Sequence, residues 1–250
     1  MLPLHPPLLV AECFGTLEAL YPDRIDLGVA RVGGLKKRTT AAMGIPGGRP
    51  PPEEFLRHVQ ELIGYFDLTP EPVAGDGEPD ADPAGWDGPV RAIAAEGHRP
   101  PVWMVGSTAI SALVAGTLGL PYALDHHQRP TLTDAAVTAY HESFRPSPGL
   151  PRPRVMLIVS VIAAVTDARA VEMAQSSRRL AGRLGGVGTV GSPPASAGPD
   201  GDIVGSVSTV RERLRELLDR TGADELIVTT RVPDHADRRR SYLLLTSSRS

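Results

Sequence analysis

Gly106-Ser107-Thr108, with Ser111 one turn further on, is the segment of this chain best suited to hold an anion. It closes the apolar run Pro101-Val-Trp-Met-Val and opens a small-residue helix, Ala109–Leu118, that stops at Gly119. A strand ending in Gly-Ser-Thr at a helix N-terminus offers backbone N–H groups, hydroxyl donors and the positive end of the helix dipole, the ingredients of a phosphate site. A helix cap, with Gly106 present only for a tight turn, explains the same residues, and the pattern alone favours the cap. His126-His127 ends a second short run, Tyr122-Ala-Leu-Asp. Neighbouring residues of a strand face opposite ways, so at most one of these imidazoles enters a substrate pocket. No carboxylate or third histidine completes a metal set with them, and no metal is expected. Asp234-His235-Ala-Asp237 has ligand-like spacing but opens a helix, where acids suit the dipole. The runs Leu35-Lys36-Lys37-Arg38 and Arg238–Arg240 read as solvated faces. Cys13, the single cysteine, lies among the apolar positions of a helix and reads as a buried, inert thiol. No G-x-S-x-G elbow is present, which removes a serine hydrolase, and the pattern assigns no catalytic residue.

Alternating strands and helices must position these groups. Val10, Phe14, Leu17 and Leu20 are spaced as one buried helix face, and Pro22-Asp23 breaks that helix before an apolar strand, Ile25–Ala30, expected to be covered on both faces. Glu53–Phe66 is an amphipathic helix with Glu53 and Glu54 in its first turn. Strands follow at Pro101–Ser107, Tyr122–His127, Val155–Ala164 and Glu225–Thr230. The remaining helices are Leu132–Phe144, a helix capped by Asp167 that runs to Leu184, Thr209–Thr221 capped by Ser206, and Asp234–Leu245. Five strands, each with a helix close by, predict a parallel sheet with right-handed crossovers. Three stretches rich in Pro, Gly, Ser or acids, 44–52, 69–100 and 185–202, read as long surface loops on a single domain spanning 1–250.

Composition narrows the function classes. The 250 residues carry a net charge of -3, which argues against a nucleic-acid surface. One cysteine excludes an internal disulfide and fits a reducing cytoplasm. No segment approaches the roughly 20 apolar residues of a membrane span, so no membrane partner is expected.

Four segments in order, Ala11–Arg31, Pro101–Pro121, Tyr140–Pro148 with Val155–Asp167, and Ile203–Tyr242, resemble the bacterial luciferase-like flavin-dependent monooxygenases nearly end to end. The resemblance implies a (β/α)8 TIM barrel of the luciferase-like type. With the first helix starting about eight residues after Met1, it implies an incomplete one, with about five of eight parallel strands present and the first two and a half βα units missing. It also implies reduced FMN supplied by a separate flavin reductase, O2 and a small organic substrate as reactants, and a homodimer or a related partner subunit. In this family the loop at Gly106, Ser107, Thr108 and Ser111 serves the flavin phosphate. An Arg at the position of Arg31 serves the same phosphate, where bidentate N–H pairing suits an anion. Departures are visible: Ala30 stands where Gly precedes this Arg, and Val207-Ser208 where Pro-Glu follows the serine. Two alternatives stay open, a shortened non-catalytic flavin binder or partner subunit, and an F420-dependent hydride-transfer oxidoreductase.

Overall fold

The computed structural model describes residues 2–31, 41–42, 51–67, 90–183 and 201–246. The basic run 35–38, most of the loop at 44–52, residues 69–89 and residues 185–200 lie outside the described residues. The chain divides into two compact units, Met1–Trp103 and Met104–Ser250.

In the first unit, helix α1 (Pro7–Leu20) starts with a proline at its first position, where a missing N–H costs nothing. Its buried face is Ala11, Gly15 and Glu18, not the expected Val10-Phe14-Leu17-Leu20 stripe. The reason is close packing on the turn Ile93–Ala95: a Cβ on Gly15 would lie 2.4 Å from the Ala95 Cα, so a small-residue face is required there. The larger side chains rotate outward as a result. Leu20 is 65% exposed, and Cys13 is exposed rather than buried. Glu18 enters the core because its Oε1 accepts the Asp23 N–H at 2.8 Å, where Asp23 sits at φ 58° after the helix ends. Strand β1 is Leu27–Ala30 and alternates: Leu27 and Val29 are buried, Gly28 is exposed. It is therefore covered on one face, not two. The Leu27 N–H donates to the Pro101 carbonyl. Helix α2 (Pro52–Asp67) buries Phe55, Val59, Leu62 and Phe66, the period of the sequence reading.

The second unit is built on parallel ladders. Strand β2 (Val102–Gly106, entering from the first unit) pairs β3 (Tyr122–Asp125), and β3 pairs β4 (Val155–Ala164). Along its last five residues β4 pairs β5 (Asp202–Ser206), and along Met156–Ser160 it pairs β6 (Glu225–Thr229). Strands β2 to β6 thus pair in parallel, and β1, β2, β3, β4 and β6 are the five strands expected from the sequence. The strand β5 is an addition: Asp202-Ile-Val-Gly-Ser ends on the Ser206 cap itself and has only two large apolar residues, Ile203 and Val204, to mark it in the sequence. Ser160 is in register with both Asp202 and Thr229.

Helices α3 (Ala109–Thr117), α4 (Thr133–Ser143), α5 (Asp167–Arg183), α6 (Val207–Thr221) and α7 (His235–Thr246) follow their strands in alternation. Helix α3 ends at Gly119, φ 60°, as the sequence implied, and Gly222 ends α6 in the same left-handed geometry. Ser206 caps α6, accepting from the Thr209 N–H. Asp167 does not cap α5. The Thr166 hydroxyl accepts the Arg169 N–H, and Asp167 Oδ1 instead reaches the Ser206 N–H at 2.6 Å. The Ser206 and Thr209 donors hold its carboxyl below the usual carboxylate range. Two buried tyrosines, Tyr122 and Tyr140, pack with ring centroids 5.5 Å apart behind the sheet.

Candidate functional site

The candidate residues of the second unit gather at the carboxyl ends of neighbouring strands, where parallel α/β folds place their chemistry. Gly106 lies in register with Leu124, one residue before Asp125, so the ends of β2 and β3 are adjacent. Arg31 follows β1 in the first unit and is half-buried there.

At the end of β2 the chain turns through Ser107 into α3, with Thr108 in an extended conformation at the N-cap. Ser111 is central to this turn. Its Oγ accepts the Thr108 N–H at 3.4 Å and donates to the Thr108 carbonyl at 2.7 Å. The Tyr122 hydroxyl closes the arrangement, 3.1 Å from Ser111 Oγ and 3.2 Å from the Gly106 carbonyl it donates to. Gly106 is needed because Ser111 comes so near: a Cβ there would lie 2.2 Å from Ser111 Oγ. Its φ is not in the left-handed region, so the tight-turn reading gives way to one of close approach. Burial pushes the Tyr122 phenol up to about 12, against the lowering effect of Ser111, so the hydroxyl stays a neutral donor. Ser111 therefore spends its hydroxyl inside the protein. Ser107 and Thr108 are half-exposed, and the Thr108 side chain accepts the Ser111 N–H in a capping box, so the helix cap that the pattern favoured is present. The turn is therefore held from behind by Ser111 and Tyr122 and closed at its start by the Thr108 cap.

At the end of β3, His126 and His127 fall in a short 3-10 turn rather than on the strand. They diverge, as expected. His126 turns to the helical layer, with Nδ1 2.8 Å from the Thr133 hydroxyl. Burial, then the nearby Arg220 and His127 charges, push its pKa below the ordinary histidine value. His127 turns toward β4: its Nδ1 is 2.8 Å from Asp125 Oδ1 and 3.4 Å from the Ile158 carbonyl. The aspartate contact is the shorter, but the better-directed bond is the one to Ile158, so Asp125 Oδ1 is buried without an aligned donor. Gly201 packs on the same turn, where a Cβ would lie 2.2 Å from the His127 carbonyl.

Sequence reasoning missed Asp125, although it stands two residues before His127 at a strand end. It also missed Ser160, fully buried, whose hydroxyl has no hydrogen-bond partner among the described residues. Asp125 is in register with Ile158, so Asp125 and Ser160 share one face of the sheet. Asp202, in register with Ser160, is ion-paired to Arg231 at 2.6 Å. Among the described residues no three His, Cys, Asp or Glu side chains are grouped to hold a metal ion, and no helix is long and apolar enough to cross a membrane. Asp234 caps α7 by accepting the Asp237 N–H, which accounts for that ligand-like spacing.

Comparison with known proteins places these features in context. The family profile described as luciferase-like monooxygenase matches residues 1–225. A luciferase-like monooxygenase of Escherichia coli is 34% identical over 262 residues, covering 98% of this chain and 73% of that protein. The crystal structure of apo-MsnO8 is 36% identical with a TM-score of 0.76, covering 99% of this chain and 75% of that one. The oxygenating constituent of 3,6-diketocamphane monooxygenase from Pseudomonas putida, in complex with FMN, is 18% identical with a TM-score of 0.61 and shares the fold.

Proposed function

The chain belongs to the luciferase-like monooxygenase family, and on that premise we propose that it binds reduced FMN and uses O2 to oxygenate a small organic substrate. The observation that supports this reading is the turn at the end of β2, where the half-exposed Ser107 precedes the Thr108-capped N-terminus of α3. The residues fit a phosphate monoester. The Ser107 hydroxyl and the N–H groups of the first turn that the capping box does not use would hold it, and Ser111 and Tyr122 fix the turn so that little ordering is left for binding. Reduced flavin, when bound, supplies the electrons that activate oxygen. The chain's own part is to anchor the phosphate end and to hold polar groups, Asp125 and His127, at the next strand end. Arg31 enters as a second phosphate ligand on the family resemblance alone. A separate reductase delivers the reduced flavin in this reading, and a second copy or a related subunit is the protein partner.

Titration of the chain with oxidised and reduced FMN, beside F420, tests the reading. Saturable FMN binding weakened about tenfold or more by Ser107→Ala, with Arg31→Ala as a separate arm, supports it. A folded chain that binds no flavin sinks it, and a preference for F420 replaces oxygenation with hydride transfer.

A further inference from the structure

We propose that the cleft between α5 and α7, at the carboxyl end of β4, binds a small monocarboxylate with an apolar body, its charge held by Arg240. The cleft exists because β4 outlasts one of its partners. Strand β6 pairs with β4 only as far as Ser160, and β4 runs on to Ala164. There α7 covers the strand, and the Ala163 N–H donates to Ser241 Oγ at 2.9 Å. A helix with its side chains is about 10–12 Å wide, roughly twice the ~4.8 Å spacing of paired strands, so exchanging one for the other opens space. That space measures about 200 Å³. It is smaller than the roughly 300 Å³ at which pockets for drug-sized molecules begin, so its occupant is small.

The lining has an apolar floor and a charged rim. Ala163, Ala164 and Met173 form the floor, all three buried. Across the rim Arg169 is paired to Asp237 at 2.8 Å, and the same guanidinium meets Glu172 at 3.1 Å. Two carboxylates thus neutralise Arg169. Arg240, three residues on from Asp237 along α7, lines the same cleft and has no hydrogen bond or ion pair among the described residues. One guanidinium is therefore uncommitted beside an apolar floor, and its planar fork suits a carboxylate. Asp237 limits the charge of the occupant. A dianion such as phosphate meets that carboxylate at close range, whereas a monoanion pairs with Arg240 and rests its body on Met173. The site is independent of the flavin reading, because β4 stands two strands along the sheet from β2 and the Gly106–Ser111 turn.

Titration of the full 15N-labelled chain with sodium benzoate, followed through backbone amide shifts, tests the assignment. Saturation is expected, with the largest shifts at Ala163, Ala164 and Val165. Arg240→Gln, a change at an exposed side chain, should weaken binding about tenfold or more. Asp237→Asn should tighten it several-fold, because the repelling carboxylate is gone and Arg169 loses one of its partners. Benzamide has the body without the charge, and inorganic phosphate the charge without the body; both should leave these amides nearly unmoved at the same concentration. Benzoate that does not saturate overturns the proposal, as do shifts centred on Gly106, Ser107 and Ser111 instead. Equal affinity in the wild type and Arg240→Gln, or no tightening in Asp237→Asn, overturns the charge assignment. Phosphate or benzamide binding as tightly as benzoate overturns the monocarboxylate class.

Discussion

Single side chains account for the pH behaviour expected of this protein. Tyr122 ionises near 12 in the fold and near 10 as a free phenol, so its contribution to stability is whole below pH 10 and disappears between pH 10 and 12. Denaturant unfolding across that range should lose about 1.4 kcal/mol per pH unit from this group, and Tyr122→Phe should flatten the slope. His126 works in the opposite direction. Its folded pKa is depressed, so its contribution is present above pH 6.5 and is lost as the pH falls from there through the folded value. His126→Asn should therefore make stability less sensitive to acid below pH 6.5, read as a smaller drop in Tm. Cys13 should react stoichiometrically with a thiol reagent in the native chain, without denaturant, because it is exposed.

Elements depend on two glycines for contact, not for conformation. Gly15→Ala puts a methyl group 2.4 Å from the Ala95 backbone, which cannot rotate aside, and about 1–3 kcal/mol of stability should be lost. Gly106→Ala meets Ser111 Oγ at 2.2 Å, and the displaced hydroxyl releases the Thr108 carbonyl. FMN affinity should fall with it, while Gly64→Ala, where a Cβ meets nothing, serves as the control for helix stability. The same contrast explains what the sequence disclosed. Elements with a strong period or punctuation, such as α2 with Phe55 and Phe66 or the Gly119 stop, were legible from residue types alone. The buried side of α1 was not, because apolar periodicity points to Leu17 and Leu20 while the turn at Ala95 demands small residues. Strand β5 was hidden because only Ile203 and Val204 mark it as apolar, between Asp202 and Gly205-Ser206. The turn from Gly106 to Ser111 was legible as a helix cap but not in its division of labour, since only a tertiary contact with Tyr122 shows that Ser111 faces inward. Asp125 escaped notice because an acid two residues before a histidine comes within 2.8 Å of its ring only once the strand ends and the chain turns.

For the molecule as a whole, α1 leaves Leu9, Leu17, Leu20 and Tyr21 exposed together with Cys13. A homodimer, expected on the family resemblance, would cover apolar area of this kind. Light scattering on the wild type and on Leu17→Glu/Leu20→Glu measures it: a dimer that becomes a monomer is the expected outcome, and an unchanged mass excludes this face. The ladder pattern has a different consequence, for synthesis. Strand β4 carries no charge over ten residues, and its partners along the upper and lower halves, β5 and β6, come much later in the chain. At ~5–20 residues per second, translation leaves Val155–Ala164 without those partners for several seconds after it emerges. For that interval the nascent chain exposes an uncharged strand of the kind that nucleates aggregates, and its yield in cells should depend on chaperone supply more than the stability of the finished fold would suggest.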